Sequence, residues 1–163
     1  MIDLNFCPFA AKALLKKSIR YVVLPKTTAL KCLEELSSEL NYLDDNSNYE
    51  TTFIILPTDF KTFDSYLSLV EKAEKLISEN NYDGVYQLAS FHPKYCFAGS
   101  TNSDAANYTN RSPYPMLHIL REDSVTKALA HFPHPEKIPE RNIELARDKG
   151  IKYMQLLRAA CMQ

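Results

Sequence analysis

Glycine is scarce in this chain of 163 residues, which contains only Gly84, Gly99 and Gly150. A loop that cradles phosphates, whether of the P-loop or of the dinucleotide-binding type, needs several glycines close together. The three glycines here are far apart in the sequence. Both nucleotide-binding folds are therefore excluded.

An excess of either charge is also missing, since 19 lysines and arginines balance 20 acidic residues and the net charge is -1. This balance gives no electrostatic attraction toward nucleic acid or an anionic membrane. No apolar run is long enough to span a bilayer. The first residues lack the basic stretch and apolar core of a signal peptide. We expect a cytoplasmic protein that binds neither nucleic acid nor membrane.

The four cysteines include no C-x-x-C pair, and they lie far apart at positions 7, 32, 96 and 161. Without a secretion signal, reduced thiols are the expected state. The pattern predicts no metal site: His131 and His134 have the spacing of metal ligands, but two prolines in a short turn make a poor scaffold for them. A zinc site from distant residues is the weaker alternative, and it would use Cys7, His92, Cys96 and His118.

Short β-rich runs alternate with stretches of helical periodicity through the first half of the chain. The predicted order is a helix from Pro8 to Ser18, a strand 19–24, a helix 28–43, a strand 51–56, a helix after Pro57 and a strand 85–91. Strands joined by helices favour crossover connections and at least partly parallel pairing. We predict one α/β domain over residues 1–163, with α+β as the alternative. Its small sheet has three to five strands flanked by helices, and its C-terminal third is helical.

Residues 92–112 show no periodicity, and a loop of this length inside a domain is usually functional or disordered. Their aromatic residues argue against disorder, so we predict an ordered, packed loop. Helical character is predicted to resume at Pro113 and to continue from Asp123 to His131 and from Glu140 to Lys149. Gly150 is predicted to end that helix before a last one begins.

Cys7 and His92 are the candidate catalytic residues. Cys7 precedes Pro8 at a predicted helix start, where an N-cap thiol would be activated by the helix dipole. The alternative is a small buried apolar residue. His92 follows a strand end, where ligands of α/β sheets bind and where a histidine can act as acid, base or ligand. The alternative is a histidine that hydrogen-bonds loop backbone.

A polar stretch before the predicted helix start at Ser112-Pro113 suggests an anion site. Free backbone N–H groups beside the Arg111 guanidinium would bind negative charge. On that helix, residues 114, 118 and 121 would share one face and form a pocket wall. The alternative is that the amides only tie the loop to itself. The predicted ligand-binding residues are Asn107, Asn110, Arg111, His118 and Arg121.

Several motifs together resemble a bacterial family catalogued as domain of unknown function family 1415. They are Cys7-Pro8-Phe9-Ala10, Ile19-Arg20-Tyr21-Val22-Val23, Glu50-Thr51-Thr52, residues 86–93 (YQLASFHP), Phe97-Ala98-Gly99 and residues 107–122 (NYTNRSPYPMLHILRE). The resemblance covers nearly the whole chain, and its motifs at 86–99 and 107–122 are very specific. It implies a bacterial, cytosolic protein and no particular activity.

A second, local resemblance concerns the first 21 residues. Cys7-Pro8-Phe9-Ala10, a helix and then Ile19-Arg20-Tyr21 are similar to the start of a thioredoxin-fold glutathione transferase of the omega type. It implies a monothiol protein that uses Cys7. That fold places a strand before the cysteine and contains a cis-proline.

The sequence favours a small-molecule-binding protein or enzyme with a site for a phosphate- or carboxylate-bearing ligand, formed by residues 90–121 and Cys7. A non-catalytic protein-interaction module is the other alternative, and neither a cofactor nor an oligomeric state is assigned. Convergence of Cys7, His92 and Arg111 on one concave pocket would distinguish a ligand site from a convex docking surface.

Overall fold

Four strands form one mixed sheet in the computed structural model, which describes residues 4–7, 9–130 and 133–162. The strands are β1 (Ile19–Val23), β2 (Thr51–Ile55), β3 (Tyr86–Phe91) and β4 (Met116–Arg121). The helices are α1 (Ala10–Leu15), α2 (Ala29–Asp45), α3 (Phe63–Glu79), α4 (Glu122–Leu129) and α5 (Ile138–Ala160). Short 3-10 helices cover Ala105–Thr109 and Pro135–Lys137.

The strand order across the sheet is β1-β2-β4-β3. β1 and β2 are parallel and joined by α2, whereas β4 runs antiparallel to both of its neighbours. This arrangement confirms the predicted α/β class and a partly parallel sheet with helices around it. It also confirms the first three predicted strands.

The prediction of a helix from Pro113 onward was wrong, because Met116–Arg121 is the strand β4. Leu117 and Ile119 point into the core, while the alternate residues lie on the other face. A short apolar run fits a buried helix or a buried strand equally well by its pattern. Pairing with β2 on one side and β3 on the other decides in favour of the strand.

Caps and apolar faces explain the two long helices that cover the sheet. The Thr28 hydroxyl accepts from Lys31 N at the start of α2, as predicted, and Thr62 caps α3 in the same way. Such caps stabilise a helix by about 1 kcal/mol. The main core contains Cys32, Leu36, Leu40, Leu43, Ile54, Leu56, Tyr66, Leu69, Val70, Ala73, Ile77, Tyr86, Leu117 and Ile119. Burial there raises the pKa of the Cys32 thiol to about 12.

A buried ion pair joins α2 to the first two strands. Glu39 is almost fully buried and accepts two hydrogen bonds from Arg20, at 2.7 and 3.0 Å. Thr52 donates to the same carboxylate at 3.2 Å. The Arg20 guanidinium also lies 3.9 Å from the centre of the Tyr42 ring. These contacts satisfy a charge that would be costly to bury alone.

α5 packs on the 3-10 helix Ala105–Thr109 and builds a second apolar cluster away from the main core. That cluster contains Phe6, Ala105, Tyr108, Ala146 and Met154. Arg147 of α5 also pairs with Asp104 at 2.7 Å and lowers the pKa of that carboxyl. No helix within the described ranges is both long and apolar enough to cross a bilayer.

After β4, the C-terminal third consists of helices in the described ranges, as predicted, and its last helix α5 is interrupted at Gly150. Its φ of 77° and ψ of 158° are not helical, so α5 is kinked there. The predicted helix boundary at this glycine is therefore correct in position. α4 ends at Leu129, and the predicted end at His131 lies outside the described residues.

Candidate functional site

The amides of the 92–112 loop tie the loop to itself. Asn107 is fully buried; its Oδ1 accepts from Phe97 N at 3.0 Å, and its Nδ2 donates to Thr101 O at 2.8 Å. Asn110 Nδ2 donates to Ser90 O at 3.2 Å. Both amides thus bind backbone, which is the alternative that the sequence left open. A ligand-binding role for them stays a prediction.

His92 is also fully buried, directly after β3. Its Nδ1 accepts from Lys94 N at 2.9 Å, and its Nε2 lies 2.9 Å from Phe60 O. Burial lowers the pKa of this imidazole, and the nearby Lys94 and Arg158 lower it further. Both ring nitrogens are hydrogen-bonded to backbone, which is the alternative that the sequence left open, and a catalytic role for His92 stays a prediction. The imidazole instead fixes a β-turn, in which Tyr95 N donates to His92 O at 3.0 Å.

Arg111 reaches back to that turn. Its Nε donates to Tyr95 O at 2.8 Å and its Nη2 donates to Asn102 O at 3.1 Å. The guanidinium carbon lies 4.8 Å from the centre of the Tyr108 ring. No helix starts at Ser112-Pro113. The prediction that a helix N-terminus contributes backbone N–H groups to the anion site was therefore wrong. The Arg111 guanidinium remains, with its Nη1 unbonded among the described residues.

Arg158 of α5 is the residue that the sequence interpretation missed. Its Nη1 donates to Pro93 O at 3.1 Å, in the same turn that holds Arg111. Together with Tyr108 and Gln155 it lines a surface depression of about 280 Å³, whose other walls are Ala159 and Met162. We call this depression the Tyr108 depression. The only signal in the sequence was a basic residue on the last helix, far along the chain from the loop.

Neither Arg111 nor Arg158 pairs with a carboxylate among the described residues, whereas Arg20 and Arg147 each do. Arg158 uses one nitrogen for a carbonyl, and its shielded Nε has no partner in the described part of the chain. The 92–95 turn therefore anchors two guanidinium groups that adjoin the same tyrosine. Their charge is left uncompensated within the described ranges.

His118 and Arg121 do not share a face, contrary to the helical prediction, because both lie on β4 at positions of opposite parity. His118 stacks on Phe53 with 3.8 Å between ring centres, and its Nε2 is 2.6 Å from Thr51 Oγ1. Burial lowers its pKa to about 3. Arg121 donates to Tyr49 O at 3.0 Å, to Leu43 O, and to the Tyr86 hydroxyl at 2.9 Å. It therefore binds the C-terminal end of α2 rather than the loop.

Cys7 is not a helix cap. α1 begins at Ala10 and its N-cap is Phe9, while the predicted first helical residue, Pro8, lies outside the described residues. Cys7 is half-buried, and Phe6 beside it packs in the second apolar cluster. The helix-cap argument for an activated thiol no longer applies, and a reactive role for Cys7 stays a prediction.

The three residues whose convergence would mark a catalytic pocket line neither of two surface depressions in the described part of the chain. The Tyr108 depression contains none of Cys7, His92 and Arg111 in its walls, and neither does a depression of about 410 Å³ between Pro133 and Glu144. In the described ranges, no group of three or more histidine, cysteine or acidic side chains is arranged to hold a metal ion. No strand lies within residues 4–7, and a thioredoxin-like role for Cys7 stays a prediction.

One family model matches residues 1–156 of the chain, which is almost its whole length. Its description is "Protein of unknown function (DUF1415)". No curated protein and no solved structure matches the chain.

Proposed function

The chain belongs to the DUF1415 family, and we propose that it binds a small phosphate- or carboxylate-bearing molecule at the rim of the Tyr108 depression. The ligand would lie between Arg158, which is in the wall, and Arg111, which lies over the Tyr108 ring outside the wall. The observation that carries the proposal is the pair of guanidinium groups on one turn. Arg111 and Arg158 donate to Tyr95 O and Pro93 O, and both adjoin Tyr108. Neither group has a carboxylate partner in the described part of the chain.

Pre-organisation supports an anion as the ligand. Arg111 is fixed by two carbonyls and Arg158 by one. Each guanidinium keeps further N–H donors, which suit the paired oxygens of phosphate or carboxylate. The turn below them is fixed by the buried His92, so little order is lost on binding. Lys94 in the same turn adds positive charge.

The volume of the Tyr108 depression limits the size of the ligand. At about 280 Å³ it lies just below the usual range of about 300–1,000 Å³ for small-molecule pockets. Tyr108 and Met162 offer apolar surface, whereas Gln155 offers an amide that can donate or accept. This lining favours a compact metabolite with one anionic group and a small apolar or polar body.

The test is a phosphate titration of the wild type and of arginine variants, read as the shift of Tm at constant ionic strength. We expect phosphate to raise the Tm of the wild type, since a ligand that binds only the folded state stabilises it. Arg158→Met should weaken phosphate binding about tenfold or more, because a charge-assisted contact contributes about 1.5–3 kcal/mol. Arg111→Lys should also weaken it, since a point charge cannot replace a planar fork.

Lys152→Met is the matched control, because it removes the same charge from an exposed site on the same helix. Its phosphate response should equal that of the wild type. A wild type without phosphate-dependent stabilisation would contradict the proposal, as would an equal loss in the Lys152 control. If Arg111→Met unfolds the protein and the wild type shows no anion response, Arg111 is a structural clamp.

A further inference from the structure

The outer edge of β1 is unpaired within the described ranges. β1 is the first strand of the sheet order and β2 is its only strand neighbour. Ser18 O accepts from Glu50 N and Leu24 N donates to Ile55 O, both at 2.9 Å, so the even-numbered residues face β2. The N–H and C=O groups of Ile19, Tyr21 and Val23 therefore point away from the sheet. No hydrogen bond of these outward groups occurs among the described residues.

The side chains at this edge are apolar and exposed. Tyr21 and Val23 are 58% and 55% exposed, which is unusual for large residues in a strand. The Tyr21 ring stacks on Phe53 with 5.9 Å between centres, and Phe53 stacks on His118. An aromatic ladder thus crosses the sheet and ends at an exposed tyrosine on its edge.

The devices that normally protect a sheet edge are missing here. β1 contains neither a proline nor a bulge in its pairing, which is continuous from Ile19 to Val23. The outward-pointing residues carry no charge, and the one charged residue of the strand, Arg20, is engaged by Glu39. An edge of this kind is a template for another strand.

We propose that β1 pairs antiparallel with β1 of a second copy of this chain, about a two-fold axis at Tyr21. Tyr21 then lies opposite the partner's Tyr21, and Ile19 lies opposite the partner's Val23. Each outward N–H meets an outward C=O, which gives about six hydrogen bonds across the axis. The two sheets become continuous, and the aromatic ladder of one copy runs into that of the other.

Self-complementarity favours a second copy over another protein. In this register the outward-pointing residues face apolar residues, Arg20 lies opposite the partner's Val22, and no like charges lie directly opposite within the strand. The interface is isologous, so one patch provides both sides and the assembly closes as a dimer. The pairing involves neither Arg111 nor Arg158 and does not depend on anion binding.

Sedimentation equilibrium of the full chain over a range of micromolar concentrations tests the dimer. The wild type should associate to a dimer, and Tyr21→Lys should raise the dimer dissociation constant at least about tenfold by placing two charges opposite each other. Val23→Pro should do the same, because it removes an outward N–H without touching the pairing to β2. Circular dichroism verifies that both variants are folded.

Leu67→Lys is the control, since Leu67 is an exposed apolar residue on α3 at 44% exposure. It should leave the dissociation constant unchanged. A wild type that stays monomeric over the whole range overturns the proposal. So does a dimer that both edge variants and the Leu67 control affect equally, because the contact would then be nonspecific.

Discussion

His92 and His118 both carry a neutral imidazole in the folded protein. Lys94 N donates to Nδ1 of His92, so the ring proton is on Nε2, which donates to Phe60 O. At His118 the Thr51 hydroxyl donates to Ile119 O and therefore accepts from Nε2–H. Nδ1 of His118 is shielded and has no partner in the described part of the chain. A second proton on the His92 ring would point at the Lys94 N–H donor. A second proton on the His118 ring would have no acceptor in the described part of the chain.

These two histidines make the stability of the fold depend on pH. Their pKa values are lowered in the folded state, to about 3 for His118, so below pH 6.5 the unfolded chain binds more protons than the folded one. The free energy of unfolding should fall as the pH decreases from 6.5, by up to about 1.4 kcal/mol per pH unit for His118, and His92 acts in the same direction. Urea unfolding between pH 7 and pH 5, above most carboxyl titration, measures this slope.

His118→Phe keeps a ring against Phe53 and removes the histidine whose pKa is lowered to about 3, so the slope should become clearly smaller. Leu67→Phe, which changes an exposed apolar residue and no titratable group, is the control and should keep the wild-type slope. An unchanged slope in His118→Phe would show that this imidazole does not resist protonation in the folded protein.

At the scale of one element, Gly150 is the clearest sequence signal, because it marks the break inside α5. Only three glycines occur in the chain, and this one stands between two helical stretches of α5. Its φ of 77° with ψ of 158° lies in a backbone region that is almost restricted to glycine. A Cβ placed there would meet no atom within 4 Å, so the restriction is one of backbone conformation rather than of space.

Gly150→Ala should therefore destabilise the protein by about 1–3 kcal/mol, although alanine favours helices in general. Thermal unfolding should show a lower Tm than that of the wild type. Lys152→Ala, two residues further on at an exposed helical position, should leave the Tm nearly unchanged. A Tm that rises in Gly150→Ala would mean that α5 straightens into one continuous helix at little cost.

At the scale of the whole molecule, the 92–112 loop joins the sheet to the C-terminal helix. His92 at its start binds Phe60 O just before α3, Asn110 near its end donates to Ser90 O of β3, and its 3-10 helix packs on α5. Ala105 and Tyr108 belong to the second apolar cluster, and Asp104 pairs with Arg147. Packing and polar contacts therefore hold a segment that has little regular structure.

Limited trypsin digestion of the native protein should consequently spare Lys94 and Arg111 relative to exposed basic residues elsewhere. Arg111→Lys keeps a trypsin site but loses the two-carbonyl grip on Tyr95 and Asn102, so cleavage at 111 should become faster. Lys94→Arg is the control, because it changes the side chain but not the backbone contact of residue 94 with His92. Preferential cutting of the wild type between 94 and 111 would contradict a packed loop.

The sequence by itself determined the elements whose signals are local: the first three strands, the Thr28-capped helix and the break at Gly150. Turn residues, caps and alternating patterns act within a few positions, so they can be recognised along the chain. Only the tertiary structure decided that Met116–Arg121 is a strand, because its partners, β2 and β3, lie far along the chain. Because this segment is a strand, His118 and Arg121 lie on opposite faces of the sheet. Packing of distant segments also places Arg158 at the turn that Arg111 binds. Contacts between distant segments depend on how whole elements pack, and no local pattern encodes them.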